Sequence, residues 1–165
     1  MRILMGIDGS FATAKAIRFV CELFGQSKSK DIWITLLHVT ESIPDQSLEP
    51  GIPQSLGTAY QQIIEDAKAR REELGKSLLE KQVAALEAAG IPHDHISAKL
   101  EVSSARPESS KVAVALGIIN EMNGGNYDVV CIGRRGTTAA EGVFLTSIAE
   151  KVLREARGRT VWVVD

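Results

Sequence analysis

Two glycines and a helix start bring together the residues best suited to hold an anion. The chain reads Gly133-Arg134-Arg135-Gly136, then nine residues, then Thr146-Ser147 at the head of a helical pattern. Glycine lets the backbone turn tightly and approach a ligand with no Cβ in the way. Ser147 and Glu150 form an S-x-x-E capping box, which sets the helix start at Ser147. The amides of Ile148, Ala149 and Glu150 lack intrahelical partners there, and with the positive end of the helix dipole they favour an anion. Arg134 and Arg135 would add positive charge to the loop. The same features also occur without a ligand: a serine can cap its helix and do nothing more, and loop arginines are commonly solvated. Asp8, which ends an apolar run and precedes Gly9-Ser10, suits either a ligand contact or a turn that caps the next helix.

Other chemistries lack their residues. No G-x-x-x-x-G-K-[ST] phosphate loop occurs, and no G-x-G-x-x-G follows the first apolar run, which argues against a conventional NTPase or a dinucleotide oxidoreductase. The first strand also lacks the serine- and glycine-rich sequel of adenylating pyrophosphatases. The three histidines are His38, His93 and His95. His93-Asp94-His95 has no evident third metal ligand, and His38 reads as a core or rim residue rather than a general base. Ser10 has no histidine at a recognisable nucleophile–base spacing. The two cysteines, Cys21 and Cys131, fall in apolar elements and read as reduced core thiols.

The frame that holds these residues is an alternation of apolar runs and helical patterns. Runs at Ile3–Ile7, Ile32–Val39, Ile96–Val102, Val129–Ile132 and Thr160–Val164 read as strands, the third polar enough for a sheet edge. A helix is expected from about Ala12 to Phe24, with Ala16, Ile17, Val20, Leu23 and Phe24 on one face. A second runs from about Leu56 to Ala89, with Tyr60, Ile63 and Ile64 read as core, and stops at Gly90-Ile91-Pro92. A third begins near Pro107 and runs through Met122, and a fourth covers Ser147 to Arg157. Thr40–Ser55, with Pro44, Pro50, Gly51 and Pro53, reads as an irregular loop beside the strand ends. This order predicts a three-layer α/β fold with a mostly parallel sheet, in one domain over residues 1–165. Ligands in such sheets bind outside the carboxyl ends of the strands, where the strand order reverses.

Composition narrows the partners. Hydrophobic residues make up 44% of the 165 positions and the formal net charge is −2, so no basic field exists for nucleic acid or an anionic membrane. No apolar run approaches the roughly 20 residues of a membrane span. Met1–Asp8 is too short for a signal-peptide core, so a cytoplasmic location is expected.

Three stretches together resemble the universal stress protein family: Ile3-Leu4-Met5-Gly6-Ile7-Asp8-Gly9-Ser10, Leu37-His38-Val39, and the tail from Val129 to Val164. ATP-binding members of that family carry glycine, two residues, glycine, nine residues, then glycine and Ser/Thr. Gly133, Gly136 and Ser147 match that spacing, and Thr146 stands where the pattern has its third glycine. The resemblance implies a five-stranded parallel sheet of order 3-2-1-4-5, of the adenine nucleotide alpha hydrolase-like type. It implies that Asp8 and the Val39 backbone flank an adenine, that Ile132 and Gly133 lie at the ribose, and that Gly136, Thr146, Ser147 and Ile148 cradle phosphates. ATP with Mg²⁺ is the implied ligand, the implied assembly is a homodimer through the final strand, and the implied role is stress regulation rather than catalysis, with at most slow ATP hydrolysis. The alternatives are a dimeric interaction module of the same fold that has lost the nucleotide, and an enzyme acting on a nucleotide-linked substrate.

Overall fold

The computed structural model describes residues 1–25, 31–41, 54–103, 110–134 and 147–165. Among them, strands β1 (Arg2–Gly6), β2 (Trp33–Glu41), β3 (Ile96–Ser103), β4 (Val129–Gly133) and β5 (Thr160–Val164) alternate with helices α1 (Phe11–Phe24), α2 (Gln54–Ala88), α3 (Ser110–Gly124) and α4 (Ser147–Glu155). Every pairing is parallel, and the order across the sheet is β3-β2-β1-β4-β5. The expected α/β class and strand order are therefore those observed.

Side-chain alternation splits the core into two layers, as a sheet covered on both faces requires. Ile3, Met5, Ile34 and Leu36 point toward α1 and α2, where they meet Ile17, Val20, Leu79 and Leu86. Leu4, Leu37, Val130 and Ile132 point the other way, against Ile118 and Met122 of α3 and Ala149 and Val152 of α4. Each such burial contributes about 1.5–3 kcal/mol, so β1 at the centre, with β2 and β4 on either side of it, is least tolerant of change. β3 lies at the edge its polar pattern predicted, and β5 forms the other edge.

Element boundaries differ from the sequence reading by a few residues. β2 runs on through Thr40 and Glu41, and α2 begins at Gln54, so the expected Thr40–Ser55 loop shortens at both ends. The rest of that loop, and Pro107 before α3, lie outside the described residues. Two expected core assignments need correction. Leu23 is 47% exposed on α1, and on α2 Ile63 is 64% exposed while its neighbour Ile64 is buried. For Ile63 the reason is length. α2 has 35 residues, about 52 Å of helix, whereas the nine residues of β2 span about 30 Å. Gly75 of α2 packs against His38 near the carboxyl end of β2, and Arg71 and Leu74 still share a pocket with Val39 and Thr40, so it is the part of α2 before them that continues past that edge of the sheet. Leu74, at the point of departure, is 70% exposed.

No helix among the described residues is long and apolar enough to cross a membrane.

Candidate functional site

The sheet order reverses between β1 and β4, and their carboxyl ends lie side by side there. A slot of about 50 Å³ opens between them, with Gly6, Asp8, Val39, Ile118, Gly133 and Ile148 among its walls. Five of the eight sequence-predicted site residues line it: Asp8, Val39, Ile132, Gly133 and Ile148. Ser147 is the first residue of α4, immediately before Ile148. Gly136 and Thr146 lie outside the described residues, as does the rest of the 135–146 segment.

Asp8 is held by the start of α1. Its Oδ1 accepts hydrogen bonds from the Ser10 amide at 2.9 Å and from Thr13 Oγ1 at 2.7 Å. Ser10 in turn caps α1, its Oγ accepting from the Thr13 amide at 3.2 Å. The turn-and-cap reading of Asp8 is thus correct as far as it goes. Among the described residues Oδ2 has no partner, and Asp8, exposed and with Oδ1 fixed on α1, lines the slot.

Val39 presents its backbone. The Ile7 amide donates to the Leu37 carbonyl at 2.8 Å, which turns the main-chain groups of Leu37 toward β1. By strand alternation the N–H and C=O of Val39 face the same way, beyond the point where β1 ends. The Ile7 carbonyl, which would continue the ladder, accepts instead from His38 Nδ1 at 2.6 Å. Because a carbonyl only accepts, Nδ1 carries the proton. The result is one donor and one acceptor side by side at the mouth of the slot, with no β1 partner among the described residues.

Both flanking helices press on this point. A Cβ at Gly117 of α3 would stand 2.8 Å from Val39 Cγ1, and one at Gly75 of α2 would stand 2.9 Å from His38 Cδ2. These mid-helix glycines, unfavourable for helix propensity, are explained by that close approach. Sequence reading missed them, and it missed Val114 and Ile118 on the α3 wall. The signal for the walls was their i, i+4 spacing on one helix face. It also missed Thr13, detectable as a hydroxyl five residues after an aspartate at a strand end.

The arginine expected to charge the phosphate loop is engaged elsewhere. Arg134 pairs with Asp165 Oδ2 at 2.7 Å, and its amide donates to the Val164 carbonyl at 2.6 Å. Its charge is drawn to the β5 edge and largely neutralised there. Arg135 lies outside the described residues. In α4, Glu150 pairs with Arg154 at 2.9 Å.

The remaining candidates sit apart from the slot. His95 stacks on Trp33 with ring centroids 4.3 Å apart, and His93 pairs with Glu87. Among the described residues no group of three or more His, Cys, Asp or Glu side chains is placed to hold a metal ion. Cys131 is buried in β4, where desolvation pushes its thiol up to about 12 and leaves it unreactive. Cys21 is only half-buried, so the core-thiol expectation holds for one of the two.

Solved structures share this architecture. The protein MJ0577 is 19% identical with a TM-score of 0.73, the match covering 99% of this chain and 94% of that one. A universal stress protein family member from Burkholderia pseudomallei is 20% identical with a TM-score of 0.57 over 99% and 94% of the two chains. A universal stress protein in complex with cAMP is 16% identical with a TM-score of 0.53 over 99% and 95%. At these identities the likeness is one of fold. Among curated proteins, none matches the chain. The model of the universal stress protein family matches residues 1–165, and with the strand order and the slot at its switch point the chain belongs to that family.

Proposed function

We propose that this chain is an ATP-binding regulatory protein of the stress response, with the nucleotide held at the carboxyl edge of the sheet. The observation that carries this reading is the Val39 backbone pair beside the pinned Asp8 carboxylate. An adenine offers a donor (N6) next to an acceptor (N1), the complement of the Val39 carbonyl and amide. Guanine offers the reverse, an acceptor next to a donor, and sets like against like. At about 50 Å³ the slot itself is too small for a base, so the adenine lies across its mouth, with Ile132 and Gly133 at the ribose. Gly136, Thr146, Ser147 and Ile148 would then serve the phosphates, and Mg²⁺ would come with the nucleotide to offset phosphate charge rather than be held in a protein cage. Occupancy of this site, rather than turnover, is the regulatory signal. Residues 1–165 act as one domain, placed in the cytoplasm, and pair as a homodimer through β5.

Calorimetric titration and thermal melting with Mg-ATP and Mg-GTP test this directly. At 100 times its dissociation constant ATP stabilises by about 2.7 kcal/mol, a readable shift in melting temperature. GTP binds about ten- to a hundredfold more weakly, the consequence of unpaired groups costing about 1–3 kcal/mol. Absence of both heat and melting shift at millimolar ATP rejects the nucleotide reading. The protein would then stand as an interaction module, the reading that Thr146 in place of the pattern's glycine favours. Thr146→Gly separates the two: it tightens ATP if the threonine only obstructs, and weakens it if the hydroxyl is itself a ligand.

A further inference from the structure

The outward main-chain pair of Val39 stands between two apolar walls, one on each face of the sheet. On the α3 face the wall is Val114 and Ile118, which line the slot with the Val39 side chain. On the opposite face α2 supplies the other. Because α2 lies close over His38 at Gly75, Arg71, Leu74 and Leu78 come down over Val39 and Thr40 and bound a pocket of about 350 Å³. The i, i+3, i+7 spacing of these three residues puts them on one face of the helix. That face looks toward the continuation of β1, since Leu78 Cδ1 lies 3.6 Å from where a Cβ would stand on Gly9.

The distribution of polar and apolar groups around this space selects its occupant. A ligand held by the N–H and C=O of Val39 meets polar groups at its edge and apolar side chains on both faces. A flat heteroaromatic ring is built that way, with donors and acceptors around the rim and two apolar faces. A sugar or a phosphate would set hydroxyls or charged oxygens against leucine, where they lose hydration without a partner. The slot alone, at about 50 Å³, holds no ring, whereas the pocket under α2 falls within the roughly 300–1,000 Å³ of small-molecule sites. Leu74 lines that pocket with its side chain largely in solvent, so a ring laid there would cover apolar surface that the fold leaves bare.

We propose that α2 completes the base site: the ring hydrogen-bonded to Val39 lies between Leu74 and Leu78 on one face and Val114 and Ile118 on the other. Arg71, a turn before Gly75, closes the outer rim of the α2 wall, where a planar guanidinium stacks on an aromatic margin. This inference rests on the adenine reading of the Val39 pair. It adds to that reading the α2 residues that grip the base, through contacts indifferent to ribose and phosphate.

Calorimetric titration of the whole chain with Mg-ATP and with AMP, before and after Leu74→Ser, tests it. The substitution is at an exposed position, so the melting temperature of the free protein stays unchanged. Leu74→Ser weakens both ligands by the same factor, about tenfold, because it removes apolar contact with the base and nothing else. Ile63→Ser, equally exposed on α2 but about three turns farther out, alters neither affinity. In NOE spectra of the unmodified complex, the adenine ring protons show cross-peaks to the methyls of Leu74 and Leu78 and none to Ile63. If the unmodified chain binds neither ligand, the adenine reading falls and this inference falls with it. If the chain binds ATP, three results overturn the α2 wall and leave the adenine site standing: Leu74→Ser binds as tightly, Leu74→Ser weakens ATP but not AMP, or the base shows no cross-peaks to Leu74 and Leu78.

Discussion

At the scale of single residues, the candidate site rests on hydrogen bonds that orient groups a ligand would meet. Thr13 is 2% exposed and its hydroxyl both donates to Asp8 Oδ1 and accepts from the Asp8 amide at 3.3 Å. Thr13→Val keeps the shape and deletes both bonds. It lowers stability by about 1 kcal/mol, the net worth of a hydrogen bond, and on the proposed nucleotide site it weakens ATP by leaving Asp8 held through the Ser10 amide alone; urea unfolding and calorimetry read the two effects separately. Gly117→Ala forces a Cβ to within 2.8 Å of Val39 Cγ1. The overpacking costs about 1–3 kcal/mol and shifts the urea midpoint at constant slope. Because the displaced residue is Val39, the proposed nucleotide site predicts weaker ATP binding by the same variant.

At the scale of elements, β5 carries the prediction. Val163 is 37% exposed on an edge strand otherwise built of Thr160, Val161, Trp162 and Val164. Trp162 is anchored on α1, edge-on to Phe19 at 5.6 Å and stacked with Phe24 at 6.4 Å. A rigid apolar edge without charge invites pairing with a second strand, and a two-fold axis lets β5 pair with its own copy. On the proposed β5 dimer, Val163→Lys puts a charge on that edge and leaves a monomer in light scattering, while far-UV circular dichroism stays unchanged. A monomer for the unmodified chain at micromolar concentration rejects the β5 dimer. α2 teaches the opposite lesson. Its sequence has a helical period throughout, yet Ile63 stays exposed because the helix outruns the sheet.

At the scale of the whole molecule, one charged cluster ties the β3 edge to α3. Lys99 Nζ lies 2.7 Å from Glu121 Oε1, which also accepts from Tyr127 Oη. Burial alone pushes Glu121 up, but the hydrogen bonds from Lys99 and Tyr127 outweigh it and hold the carboxyl below its ordinary value. Glu101, nearby on β3, is raised by burial and then by the charge of Glu121. The signs are opposite. Glu121 stabilises the fold above its unfolded pKa, and that contribution is lost as pH falls through its depressed folded value. Glu101 favours the fold below its unfolded pKa, and that benefit is lost as pH rises through its raised folded value. Glu121→Gln therefore destabilises at pH 7 by about 1 kcal/mol, a modest figure because Lys99 is half exposed, and the deficit shrinks in acid. Glu101→Gln stabilises slightly at pH 7 and has no effect below pH 4. Urea midpoints across pH measure both.

The sequence by itself determined the class of fold and the order of its strands, and so which residues meet at the switch point. Alternating apolar runs and helical periods are local signals, and Asp8 and Gly133 are legible because strand ends are marked by the residues that stop them. The start of α4 at Ser147 and the polar character of β3 were legible for the same reason. The tertiary structure decided what depends on distance between elements. It turned the Val39 amide and carbonyl outward past the end of β1, and it explained Gly75 and Gly117 as points where helices touch β2. It drew Arg134 to Asp165 instead of toward the glycine loop, and left Ile63 in solvent. A side chain's partner, unlike its periodicity, is set by residues far away in the chain, and only packing brings those within reach.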